Sequence, residues 1–152
     1  MNATTMIIHG TRILTGVVFV LTGLNGFLNF MPMPEGPERA AAFLGALAQT
    51  GYFFPMLKVF ELLAGVLLLC NRLVPLAATL LAPIVISIFA YHVFLAPGSM
   101  LILAGVLAVC EFIMAFGYRR YFAPLFVAKA RVGESPVTAG RTTERSQAGA
   151  KA

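Results

Sequence analysis

The sequence predicts an all-α, polytopic membrane protein: a bundle of four spanning helices with a short interfacial helix between the first two. Three observations carry this expectation. Hydrophobic residues fill 59% of the 152 positions and charged residues only 11%, far from the balance of a soluble domain. Mean hydropathy is +0.88. The apolar residues fall in four windows of about 20, the length that crosses a hydrocarbon core about 30 Å thick, and each gap between windows carries a breaker or turn signal.

The first window runs from Ile13 to Met31 and could be mistaken for a signal peptide. No small-x-small cleavage pattern follows Leu24, where Asn25, Phe27, Asn29 and Phe30 stand, so a retained helix is expected. Pro32, Pro34 and Pro37 end it. The segment "GPERAAAFLGALAQTG" then opens on a proline suited to a first helical turn and places Ala40, Phe43, Leu44 and Leu47 on one stripe. A short helix lying in the membrane interface fits that pattern. The second span covers Tyr52 to Asn71, closed by Asn71, Arg72 and Pro75; the third covers Val74 to Ala96, closed by Pro97 and Gly98; the fourth covers Ser99 to Tyr118.

The chain thus divides into an N-terminus (1–12), a four-helix domain (13–121), a basic amphipathic segment for the membrane surface (122–132) and a tail (133–152). The tail, "GESPVTAGRTTERSQAGAKA", has almost nothing to bury and is expected to be disordered. Before it, Phe122, Leu125 and Phe126 mix with Lys129 and Arg131, a composition that suits an anionic surface.

Cytoplasmic loops collect arginine and lysine. Arg12, Arg72, Arg119, Arg120, Lys129 and Arg131 all fall on one side, whereas the other offers Arg39 with Glu35 and Glu38. The expected location is a bacterial-type inner (plasma) membrane, crossed several times, with both termini cytoplasmic. The net charge of +5 reflects this bias and not a nucleic-acid partner, for which no soluble basic domain exists.

Measured inward from the outer ends of their spans, Asn29, His92, Asn25, Lys58, Glu61 and Glu111 lie at depths from about 3 to about 18 Å. Nearly all intramembrane polarity therefore falls in the outer half. On the first helix Thr15, Thr22, Asn25 and Asn29 share a face; on the second, Phe54, Lys58, Glu61 and Gly65. On the third, Thr79, Pro83, Ser87 and Tyr91 recur every fourth residue, and on the fourth Ala104, Ala108, Glu111 and Ala115. Each stripe is expected to face the bundle interior.

The candidate polar pocket comprises Asn25, Asn29, Lys58, Glu61, Tyr91, His92 and Glu111. A lone charge at the bilayer centre costs about 2.5 to 3.5 kcal/mol on insertion scales, so Lys58 and Glu61, three apart, are expected to pair inward. Such a pair is either a structural lock or a binding or proton-handling site. His92 bonds a neighbouring carbonyl or water, or else meets a ligand. Asn25 and Asn29 are expected as interhelical glue, with ligand contact the alternative, and Tyr91 as an interfacial anchor. Glu111 is either a neutral donor between helices or a partner in the charge cluster.

No metal is expected, because no second histidine or cysteine stands at ligand spacing from His92. Cys70 and Cys110 differ in depth by about 11 Å, too far for a disulfide, which leaves two buried free thiols. Phosphate-binding, nucleophile-elbow, haem-attachment, dinucleotide and metalloprotease motifs are absent, so no reaction can be named from motifs.

The stretch "TGVVFVLTGLNGFLNF" and then "VFELLAGVLLLCNRLVPLAATLLAPIVISIFAYHVFL" resembles the DoxX-like family of small four-helix integral membrane proteins. The resemblance spans about Arg12 to Tyr121 and rests on Gly16, Gly23, Asn25, Glu61, Gly65, Arg72 and His92, with departures at Gly26 and Cys70. It implies four spanning helices and, from some relatives, a membrane subunit of a quinone-linked oxidoreductase; other relatives act in assembly or maturation of partner proteins. On the first implication the chain has no intrinsic cofactor and uses a quinone as its redox ligand, with electrons from a redox partner protein, since haem, flavin and iron-sulfur ligands are missing. Membrane lipid and further copies of the chain complete the expected partners. A transporter is the weaker expectation: no internal repeat is visible, and Pro83 alone does not make a broken-helix site.

Overall fold

A computed structural model describes residues 2–31 and 36–122. The segments 123–152 and 32–35 lie outside the described residues, and with them the expected tail and almost all of the expected surface segment. The described residues form helices α1 (Ala3–Leu28), α2 (Glu38–Gln49), α3 (Phe53–Leu69), α4 (Val74–Phe94), α5 (Met100–Gly117) and a four-residue turn of helix, α6 (Arg119–Phe122), with no strand among them. Met1–Tyr118 form one unit, and α6 begins another.

Helices α1, α4 and α5 are each long and apolar enough to cross a membrane. Helix α3 has 17 residues and meets α2 at a bend of 92°; the two reach the length and hydropathy of a fourth span only when counted together, as a broken span or a re-entrant loop. The expected second span is therefore shorter than a straight crossing, at about 25 Å of helix. Thr50 holds the bend, its hydroxyl donating to the Leu47 carbonyl at 2.6 Å and accepting from the Phe53 N–H at 3.3 Å.

The tightest packing joins α1 to α3, antiparallel. A Cβ on Gly16 would lie 2.9 Å from Leu69 Cδ2; on Gly23, 3.0 Å from Leu62 Cβ; on Gly65, 2.9 Å from the Val20 nitrogen and 3.0 Å from the Gly16 carbonyl oxygen. With no side chain between them the backbones come into direct contact, the small-residue packing that holds helices together where lipid offers no hydrophobic drive. Helix α5 also runs antiparallel to α1, with Gly117 against Ile8. The core gathers Phe19, Ala64, Leu68, Val74, Ala77, Leu81, Ile84, Val85, Leu107 and Met114.

Three expectations are corrected here. Helix α1 starts ten residues before Ile13, which draws Arg12 from the membrane boundary into the helix, where it is 7% exposed. Second, Thr79, Pro83 and Ser87 face outward, while Ala77, Ala78, Leu81, Ile84 and Val85 form the buried face of α4. The hydroxyls of Thr79 and Ser87 donate to the Pro75 and Pro83 carbonyls, each at 2.8 Å. Bonded within their own helix, they need no interior partner. Third, Asn25 and Asn29 do not join helices. Asn29 ends α1 in the left-handed region (φ 50, ψ 40), and the Asn25 side chain clasps the Met31 backbone, accepting from its N–H at 2.6 Å and donating to its carbonyl at 3.3 Å.

If the glycine contact sets the α1–α3 distance, Gly65→Val should lower unfolding free energy in detergent by about 1 to 3 kcal/mol. Gly45→Ala on α2, with open space around it, should leave stability unchanged or raise it by up to about 1 kcal/mol. Thermal melts of the purified variants check both.

Candidate functional site

Lys58 and Glu61 lie three apart on the face of α3 turned to α1, and this spacing brings the Lys58 ammonium to 2.8 Å from Glu61 Oε2. The Thr22 hydroxyl on α1 donates to the same oxygen at 3.2 Å. Burial is unequal: the Glu61 side chain is 3% exposed and that of Lys58 22%. Gly26 makes the arrangement fit. A Cβ there would clash with Lys58 Cγ and come within 2.6 Å of Cδ, so the bare α1 backbone serves as the channel along which the lysine stem reaches its partner. Glycine carries no hydropathy signal for such a role, and only the close approach of the helices exposes it. The part played by Thr22 is foreshadowed by its place on the α1 stripe.

The remaining predicted residues are distributed elsewhere. Tyr91 and His92 stack edge to face with ring centroids 5.1 Å apart, and Tyr91 lies 6.3 Å from the Phe43 ring of α2. The Nδ1 of His92 is bonded to the Ile88 carbonyl at 2.8 Å, one turn back on its own helix. That is the local partner considered from sequence, and it is separate from the bonds of Glu61, which go to Lys58 and Thr22. Asn25 and Asn29 close α1, as described above.

Glu111 occupies the buried face of α5, 8% exposed, beside Cys110, and Cys110 lies against Thr15 of α1. Arg12, one turn before Thr15, donates through Nη1 to the Leu68 carbonyl and, at 3.5 Å, to that of Leu69, closing the last turn of α3 from a neighbouring helix. Sequence reasoning placed Arg12 among the boundary charges and passed over this bond. Its signal was available: an arginine three residues before Thr15, on the stripe that continues to Thr22.

The polar residues thus form two stations along α1. Thr22, Glu61 and Lys58 make one; Arg12 and Thr15 on α1 and Cys110 and Glu111 on α5 make up the other, joined where Cys110 lies against Thr15. Phe19, on the same α1 face and 1% exposed, lies between Thr15 and Thr22. A cavity of about 520 Å³ opens between α4 and α5, lined by Phe89, Gly105, Val106, Ala108, Val109 and Cys110, so that Cys110 borders both it and the second station. Its lining is apolar, suited to an acyl chain and not to a head group. Cys70 and Cys110 are both free, but only Cys110 is buried; Cys70 stands at the end of α3, past its packed face, and is exposed, which corrects the expectation of two buried thiols. Among the described residues no three His, Cys, Asp or Glu side chains come together as a metal ion would require.

The ion pair gives a stability cycle. Either single change, Lys58→Met or Glu61→Leu, should destabilise by about 3 kcal/mol, the low end for a buried pair because Lys58 keeps some exposure. The double variant should recover most of the loss, since apolar replacements of a buried pair are often neutral. Three melting curves against the wild type decide it; equal, small effects in all three would mean the charges are not coupled.

A model of the DoxX family matches residues 5–96, which takes in α1 through α4 and with them the glycine contact, the Lys58–Glu61 pair and His92. No curated protein and no solved structure matches the chain. With more than half of its length matched, and with helices apolar enough to cross a membrane several times, the chain is a multi-pass integral membrane protein of the DoxX family.

Proposed function

We propose that this protein is the membrane subunit or partner of a quinone-linked oxidoreductase system, with Lys58 and Glu61 as the polar end of a head-group site. The observation that carries this reading is the unequal burial of the pair. Glu61 is sealed between α3 and α1, while the Lys58 side chain retains 22% exposure. A cation held at that depth can donate to a quinone carbonyl without leaving its carboxylate, and it can give its own proton to the reduced head group, to be reprotonated from water. The ligand's apolar tail would lie along the lipid-facing helices. Electrons come from a redox partner protein in this scheme. The distribution of arginines supports both termini at the cytoplasmic face of a bacterial-type inner membrane. With that orientation the pair would lie in the outer half.

A second reading, a non-catalytic scaffold or assembly factor, is favoured by one observation: Glu61 already accepts from both Lys58 and Thr22, so the pair is satisfied without a ligand. On this reading α2, which packs only lightly on α3, is the docking element.

The two separate on one variant. Glu61→Gln keeps the shape of the side chain and removes its charge. On the first reading, quinone titrated into the purified protein binds at least tenfold more weakly to the variant, a loss of about 1.4 kcal/mol or more. Unchanged binding, or none to the wild type, leaves the scaffold. Native mass spectrometry from the source membrane supplies the second check, through a co-purifying redox protein on the first reading or a non-redox client on the other.

A further inference from the structure

Three buried side-chain atoms among the described residues lack a hydrogen-bond partner: Arg12 Nε, Thr15 Oγ1 and Glu111 Oε2. Their residues are 7%, 0% and 8% exposed. All three belong to the second station, the one that the proposed quinone site does not use. The Thr15 hydroxyl faces the Cys110 thiol without reaching hydrogen-bond geometry, and a thiol is in any case a weak partner. An unmade bond at a buried polar atom costs about 1 to 3 kcal/mol, and in hydrocarbon no bulk water is at hand to make it good. Three such atoms within two turns of α1 and the facing turn of α5 are not an arrangement that packing alone would keep.

We propose that α1 and α5 enclose a second polar site, formed by Thr15 and Glu111 with Arg12 one turn away, whose resident ligand is water. The chemistry of the donor set selects water. Thr15 can donate and accept, a carboxyl offers an acceptor oxygen, and the Arg12 Nε–H is a donor, so the group presents the mixed partners that a buried water needs. The surroundings do not suit a larger polar ligand: Gly117 is closed by Ile8 at one end, Phe19 is fully packed at the other, and the cavity that reaches Cys110 from the side has an apolar lining. Phe19 also makes the site independent of the Lys58–Glu61 station, so the bundle contains two separate polar compartments and not one continuous path. This inference stands whether or not the quinone reading holds.

Cys110 is a built-in reporter, being 5% exposed and next to Glu111, and Cys70, exposed, is its comparator. Radiolytic hydroxyl labelling of the full chain in lipid nanodiscs, read by mass spectrometry, generates radicals from water wherever water is bound. The expected result is labelling of Cys110 at a rate comparable with Cys70 despite its burial. Thr15→Val with Glu111→Leu, which removes the polar partners, should cut Cys110 labelling several-fold and leave Cys70 unchanged. Glu111→Gln, which keeps an acceptor of the same shape, should retain it. Cys110 left intact at doses that consume Cys70 would overturn the proposal, as would equal Cys110 labelling in wild type and double variant. If the double variant does not fold, Thr15→Val alone takes its place: Cys110 labelling should fall relative to Cys70, and an unchanged ratio would overturn the proposal.

Discussion

The direct contact between the α1 and α3 backbones sets the position of the Lys58–Glu61 pair and of the α1 side chains that reach α3. Gly16, Gly23 and Gly65 let the two helices approach until nitrogen and carbonyl of one would touch a Cβ on the other. Lipid chains are as apolar as leucine, so nothing hydrophobic presses the helices together; dispersion over a close, continuous surface does it. The approach is also what brings Thr22 to Glu61 and Arg12 to the end of α3. A wider spacing would leave each of these groups reaching into hydrocarbon.

The same contact explains how two charges are tolerated within the bundle. Lys58 and Glu61 are neighbours on one helix, but pairing alone would leave the carboxylate with lone pairs to satisfy and the lysine stem with no place to lie. Helix α1 supplies both needs, a hydroxyl from Thr22 and a groove at Gly26. The pair is therefore a feature of the α1–α3 interface and not of α3. Removing the side chain at position 26 is as necessary to it as either charge.

Along α1 the polar face is interrupted by Phe19, and the two stations differ in kind. At Glu61 every bond is direct and the more exposed member of the pair is the cation. Around Thr15 and Glu111 the buried atoms are incompletely bonded by protein. A bundle of so few helices has little room for a continuous polar path, and a fully buried aromatic ring between the stations separates them as an insulator would. The apolar cavity of α4 and α5 meets the second of them at Cys110.

By itself the sequence determines the class of the protein, the breaks between its helices and the Lys58–Glu61 pairing. These rest on local quantities: hydropathy summed over about 20 residues, the conformational limits of Pro, Gly and Asn, and the i, i+3 spacing of one helix. The resemblance carried by Gly16, Gly23, Glu61, Gly65 and His92 is legible for the same reason, as a pattern along the chain. Only the tertiary structure decided which face of α4 turns inward, that Asn25 clasps Met31, that Arg12 is buried, that α3 is short and bent from α2, and that Glu111 stands apart from Lys58. A soluble helix announces its inner face by being apolar there and polar opposite. A membrane helix is apolar on both, so its rotation is chosen by fit between backbones, and that fit cannot be read until the neighbouring helix is in place.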